Sequence, residues 1–173
     1  MRKGIAAMKR MLLFLALLLT LVPAAVSAQS VQGNGSFSLT LQGYTLQGQL
    51  TNPIIHSDES VSMTMSLEDN LQTSIGAVPI TGNGQWSGTV NGTTVAGIIQ
   101  DVSGSIEACY FIFFCGYANY VGSGTWTGTL STNQGSGTFD GFITFTSSSI
   151  PQITLNQPIP ISGIWTSNFQ LSS

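Results

Sequence analysis

Gln85-Trp86-Ser87-Gly88-Thr89-Val90, then Asn91-Gly92, then Thr93-Thr94-Val95-Ala96-Gly97-Ile98-Ile99: two extended runs meet at an Asn-Gly step. An Asn-Gly pair so placed is the strongest short-range signal of a β-hairpin, because both residues tolerate the positive φ of a tight two-residue turn. In the first run Trp86, Gly88 and Val90 alternate with Ser87 and Thr89. Successive side chains of a strand point to opposite faces, so this pattern sets one face on a core and the other in water.

The same period recurs on both sides. Phe37, Leu39 and Leu41 alternate with Ser36, Ser38 and Thr40; Val61, Met63, Met65 and Leu67 alternate with Ser62, Thr64 and Ser66; Trp126, Gly128 and Leu130 form a further set. No segment past the first 28 residues carries a helical repeat of useful length, and strong helix formers are scarce. Asn34-Gly35 and Asn83-Gly84 read as strand openings. Glu68-Asp69-Asn70 reads as a turn between Val61–Leu67 and Leu71–Val78, and Ser131–Gly135 as a turn between Ser123–Leu130 and Gly137–Thr146. Pro151, Pro158 and Pro160 mark a looser edge or crossover before the last strand.

A weak repeat runs through these strands. Gly84-Gln-Trp86-Ser-Gly88-Thr-Val90 resembles Gly124-Thr-Trp126-Thr-Gly128-Thr-Leu130, with partial copies at Gly137–Gly141 and Gly163–Thr166. A glycine two residues before an aromatic on the same face is expected to leave room for the ring. The unit is one strand and one turn long, which favours simple up-and-down order. The expected fold is all-β: an antiparallel meander of about nine or ten strands in a closed or nearly closed β-barrel, with a two-sheet β-sandwich as the alternative. The Gly-x-Trp-x-Gly-x-Leu wording of 124–130 resembles the first strand of lipocalin- and avidin-type barrels over those few residues, and no family assignment is drawn from it.

The 173-residue chain holds only four Lys and Arg, namely Arg2, Lys3, Lys9 and Arg10. After them come the apolar run Met11–Val22 and the small-residue site Val26-Ser27-Ala28. Basic, apolar and small-residue regions in that order read as a secretory signal peptide, 1–28, which leaves 29–173 as a single all-β domain, secreted or held at the cell surface. That remainder carries seven carboxylates, one histidine and no fixed positive charge. Nucleic acids and anionic lipid surfaces are both held by Lys and Arg, so neither is expected as a partner. Sheets normally guard their edges with lysine. Without one, this sheet must either close on itself or self-associate by strand pairing, with Val31–Leu41 the candidate donor strand.

Cys109-Tyr110-Phe111-Ile112-Phe113-Phe114-Cys115 is the most specific local feature. Two cysteines of a secreted chain usually pair. Six residues of straight strand span about 20 Å, whereas a disulfide needs Cα atoms within about 7 Å, so the bond requires the run to fold back. The apolar residues 110–114 then form either a plug over the barrel end or a surface loop that touches a partner. His56, Asp58 and Glu59 are weak candidates for a metal site, read against a solvated loop with an Asx- or ST-type turn. Asp101, Glu107 and Asp140 could include a glycosidase-like pair, although single strand carboxylates are ordinarily solvent-facing. Trp86, Trp126, Phe139 and Trp165 are candidates for the lining of a small-ligand pocket, read against ordinary core packing. Asn34-Gly-Ser and Asn91-Gly-Thr match the N-glycosylation sequon.

Catalytic side chains are nearly absent, and no cofactor motif is present. The expected function is therefore that of a secreted, non-enzymatic β-domain acting through its surface, as a structural or adhesive component of the cell exterior. The alternative is a barrel that binds a small apolar ligand.

Overall fold

A computed structural model describes residues 33–73, 76–110 and 114–172. The expected signal segment 1–28 and residues Phe111, Ile112 and Phe113 lie outside the described residues, as do the side chains of Tyr110 and Phe114. The strands are β1 (Asn34–Leu41), β2 (Tyr44–Ile55), β3 (Ser60–Thr73), β4 (Gly76–Asn91), β5 (Thr94–Tyr110), β6 (Phe114–Ser131), β7 (Gln134–Ser148), β8 (Pro158–Asn168) and the two-residue β9 (Gln170–Leu171). No helix occurs among the described residues.

Each strand from β1 to β8 pairs antiparallel with the next, and β1 pairs with β8 as well, from Asn34↔Asn168 to Leu41↔Ile161. The sheet is thus an eight-stranded up-and-down barrel, and the sandwich alternative falls. β1 is hydrogen-bonded on both sides, so the Asn34–Leu41 part of the candidate donor strand is used in closing its own barrel. Closure removes the edge that lysine would otherwise protect. β9 pairs in parallel with β2 at Ile54 and Ile55, beyond the point where β1 begins, and seals the remaining stretch of β2.

The Asn91-Gly92 hairpin forms, one residue out of the expected phase. Asn91 pairs with Thr94, so Gly92 and Thr93 make the turn and Gly92 alone takes a positive φ of 62°. The Glu68-Asp69-Asn70 turn does not form. β3 continues through it to Thr73, because the alternation Leu67, Asp69, Leu71 stays in phase. The inward-phase Asp69 is satisfied locally: its carboxylate accepts from Gln47 N at 2.7 Å and from Asn70 N at 2.8 Å. A side chain that could have capped a turn instead pairs the end of β2. Pro158 and Pro160 pair with β7, and β1 ends opposite Ile161; their missing N–H groups therefore face an open edge.

The inward phase of every strand meets in one core. Trp86, Trp126 and Trp165 are each 1% exposed and lie with Phe37 and Phe139 at its centre. Most ring pairs there are edge-on, including Trp126–Trp165 at 5.4 Å and Trp86–Phe139 at 5.3 Å between centroids, the arrangement that ring quadrupoles favour.

Candidate functional site

The tryptophan repeat turns out to be a packing device. Trp126 on β6 lies in register with Gly97 on β5 and Gly88 on β4, and its indole N–H donates to the Ser87 carbonyl at 3.2 Å. Trp165 on β8 repeats this with Gly137 on β7 and Gly128 on β6, donating to the Thr127 carbonyl at 3.1 Å. Each ring lies across two glycines of neighbouring strands. A Cβ on Gly88 would come within 2.8 Å of Trp126, and one on Gly128 within 2.5 Å of Trp165. The glycines thus make room for rings arriving from other strands rather than for the aromatic on their own. Trp86 breaks the series. Its neighbour on β3 is Met63, and β2 carries a bulge between Thr51 and Ile54 at the next position. Its buried indole N–H has no hydrogen-bond partner. Trp86, Trp126, Phe139 and Trp165 fill the barrel at this level, so they do not line an open lumen.

One barrel end is sealed. Phe169, 3% exposed, packs on Trp165, its N–H donates to Asn133 O at 2.7 Å, and Ser172 N donates to Ile55 O at 3.0 Å. His56 belongs to this seal. Its Nε2 is 3.0 Å from Ser62 Oγ, and its Nδ1 is 3.2 Å from Ser172 Oγ. Asp58 turns to its own loop, accepting from Ser60 N at 3.0 Å and Ser60 Oγ at 2.6 Å. The Ser60 hydroxyl, and then its backbone N–H, hold the Asp58 carboxyl below its ordinary range. Glu59 is exposed at φ 65°. His56, Asp58 and Glu59 are not gathered into one ligand set. The only converging metal-ligand types among the described residues are Glu107, Cys109 and Cys115, whose two sulfurs are already bonded to each other.

That disulfide forms as the fold-back requires. Cys109 and Cys115 are cross-strand partners on β5 and β6 with Cα atoms 3.9 Å apart. β4 stops pairing with β5 at Ile106, and β7 stops pairing with β6 at Ala118. Residues 107–110 and 114–117 therefore continue past the flanking β4 and β7 pairings as a two-stranded ribbon, with Ala108 at its base still buried against the core. Such ribbons are marginal alone, and a crosslink closing so short a loop contributes roughly 2 kcal/mol. Tyr117, at its base, is 58% exposed.

Among the described residues, the second barrel end, on the side of this ribbon, is open. Ser149 clamps Tyr117, donating N–H to Tyr117 O and accepting from Tyr117 N, both at 2.9 Å. This carries the 149–157 connection over part of the mouth with Ile150 turned inward, 6% exposed. Beside it lies a cleft of about 410 Å³ lined by aliphatic side chains of β1, β3, β4, β5, β8 and this connection. No sequence motif marks it, because its aliphatic side chains come from six separate segments.

Asp101, Glu107 and Asp140 are exposed on separate stretches of the wall. Asp140 lies in register with Thr125 and Ser162, and Glu107 with Tyr117 on the ribbon. Of the sequon residues, Asn91 ends β4 at a hairpin tip, and Asn34 accepts from Asn168 Nδ2 at 3.2 Å. The outer face mixes exposed apolar side chains such as Ile98, Val121, Phe142 and Ile164 with a polar lateral row of Thr129, Ser136, Thr166, Ser36 and Gln49 across five strands, above a shallow depression of about 590 Å³. No protein-family model matches the chain, and neither does any curated protein or solved structure, so what it does has to be argued from its own residues.

Proposed function

We propose that the chain is exported and works outside the cytoplasm as a non-enzymatic β-barrel, acting through its surface in a structural or adhesive role. The observation that carries this reading is the ribbon of β5 and β6. It continues past the flanking β4 and β7 pairings, is crosslinked by Cys109–Cys115, and bears Tyr-Phe-Ile-Phe-Phe between the cysteines. A disulfide suits an oxidising exterior, and a stapled ribbon with five large apolar residues in sequence between its cysteines suits contact with another surface. The wall around it supports the same reading, since its ionisable groups are dispersed rather than convergent. Strand-addition polymers are not part of the proposal, because β1 has no free edge.

Fractionation of the native host, with N-terminal sequencing, tests export: the expected product lies outside the cytoplasm and begins at Gln29. Retention on the cell exterior, compared between the parent and a Phe111→Ser/Phe113→Ser variant, tests the contact. A cytoplasmic chain with residues 1–28 intact, or equal retention of both proteins, would overturn it.

A further inference from the structure

We propose that the open barrel mouth is a binding site for one uncharged aliphatic molecule, a neutral amphiphile such as a medium-chain alcohol. This goes beyond the surface role above and does not depend on it. The aliphatic wall of the cleft is Leu41, Leu71, Val78, Ile106, Ile150 and Ile159, with Phe145 beside them and Tyr44 at the rim. These side chains belong to the inward phase of their strands, or to Ile150 of the connecting loop. The cleft therefore continues the barrel interior outward from the filled aromatic layer.

Three features select the ligand class. The volume of about 410 Å³, at roughly 30 Å³ per water-sized group, admits ~14 such groups, near the lower end of ordinary ligand pockets. The lining holds no charged side chain, and no Lys or Arg occurs anywhere past Arg10. A carboxylate or phosphate head would lose water there without gaining a cation, and an ammonium head would meet no carboxylate. The rim is polar but neutral, with Gln42, Tyr44 and Gln152 beside the aliphatic wall. These groups can hydrogen-bond a hydroxyl or carbonyl end while the chain lies on the leucines and isoleucines.

The site is also preformed. Its overhanging segment is fixed by the Ser149–Tyr117 clamp, by Ile150 N donating to Ser148 Oγ at 2.9 Å, and by Asn156 N donating to Phe145 O at 2.9 Å. A segment already ordered costs little further ordering on binding.

The test is titration of the disulfide-intact protein with 1-decanol and, in parallel, with decanoate at pH 8, followed by methyl NMR. Decanol should produce saturable 1:1 shifts at Ile106, Ile150 and Ile159 with a Kd on the order of 100 µM or tighter. Decanoate should bind at least ~10-fold more weakly. The tryptophan signals of the filled layer should stay in place. Ala108→Met, which fills the cleft from β5, should weaken decanol binding at least ~10-fold. Ile153→Asn, in the connecting loop and outside every strand, should weaken it in the same direction and serves if Ala108→Met fails to fold. Ile164→Ser on the outer wall should leave it unchanged. The proposal is overturned by the absence of saturable shifts up to the solubility of decanol, by equal binding of decanoate, or by shifts confined to the outer wall. Binding to phosphatidylcholine vesicles without any decanol shift also overturns it, in favour of a membrane contact.

Discussion

Replacing Gly128 by alanine should destabilise the barrel by roughly 2–3 kcal/mol, the upper part of the range for one methyl forced into a packed core. The new Cβ would lie 2.5 Å from Trp165 Cζ2 and would also meet the Ser136 carbonyl of the neighbouring strand. Trp165 has nowhere to retreat. It is 1% exposed, its ring is wedged between Trp126 at 5.4 Å and Phe169 at 6.3 Å, and its N–H is tied to Thr127 O. Trp165→Phe by itself loses that hydrogen bond and part of the ring, for about 2 kcal/mol. In the double variant the alanine methyl enters space the smaller ring vacates, so the pair should cost ~1–2 kcal/mol less than the sum of the singles. The clash with Ser136 remains, and full rescue is not expected. Urea unfolding followed by far-ultraviolet circular dichroism reads all four corners of the cycle without depending on tryptophan emission. A Gly128→Ala protein within about 0.5 kcal/mol of the parent, or strictly additive singles, would refute ring-over-glycine packing.

Other consequences are simpler to check. Trp86→Phe should cost about 1 kcal/mol less than Trp126→Phe in the same assay, because only Trp126 gives up a made hydrogen bond while Trp86 sheds an orphaned donor; equal costs would count against it. Burial pushes the Tyr120 hydroxyl up to about 12, and that hydroxyl donates to Thr81 O at 2.9 Å. A raised folded pKa adds stability that is complete below the unfolded value of about 10 and lost as pH rises towards 12, so Tyr120→Phe should flatten the alkaline fall in stability, as measured by unfolding at several pH values. Reducing Cys109–Cys115 should cost roughly 2 kcal/mol or less and should speed amide exchange in 107–117 while leaving β7 and β8 protected; uniform acceleration would mean that the ribbon is not a separate unit.

Period-two alternation is a local property, and it carried far. Phe37, Leu39 and Leu41, and likewise Val61, Met63, Met65 and Leu67, all face the core as their spacing predicts. Asp69 shows the limit of the method. Glu68-Asp69-Asn70 has turn chemistry, yet its backbone is held extended by fourteen consecutive pairings between β3 and β4, and a run of paired neighbours outweighs a three-residue preference. The disulfide was legible as an either-or, fold-back or no bond, and the hairpin settles it. The Trp–Gly device was half visible: the repeat showed in the chain, but the glycine under each ring belongs to another strand.

From the sequence alone follow the strand class, the inward face, the hairpin turns at 91–93 and 131–134 and the absence of cations past residue 10, since each depends on neighbours in the chain or on composition. Closure, the filled centre and the open mouth depend on register between distant segments. Phe37 must meet Trp165 and Asn34 must meet Asn168 before the sheet loses its edges. Only that ring of pairings decides that three tryptophans pack against one another and that aliphatic side chains from six segments are left around a cleft. Alternation specifies which way a side chain points, and the long-range pairing specifies what it points at.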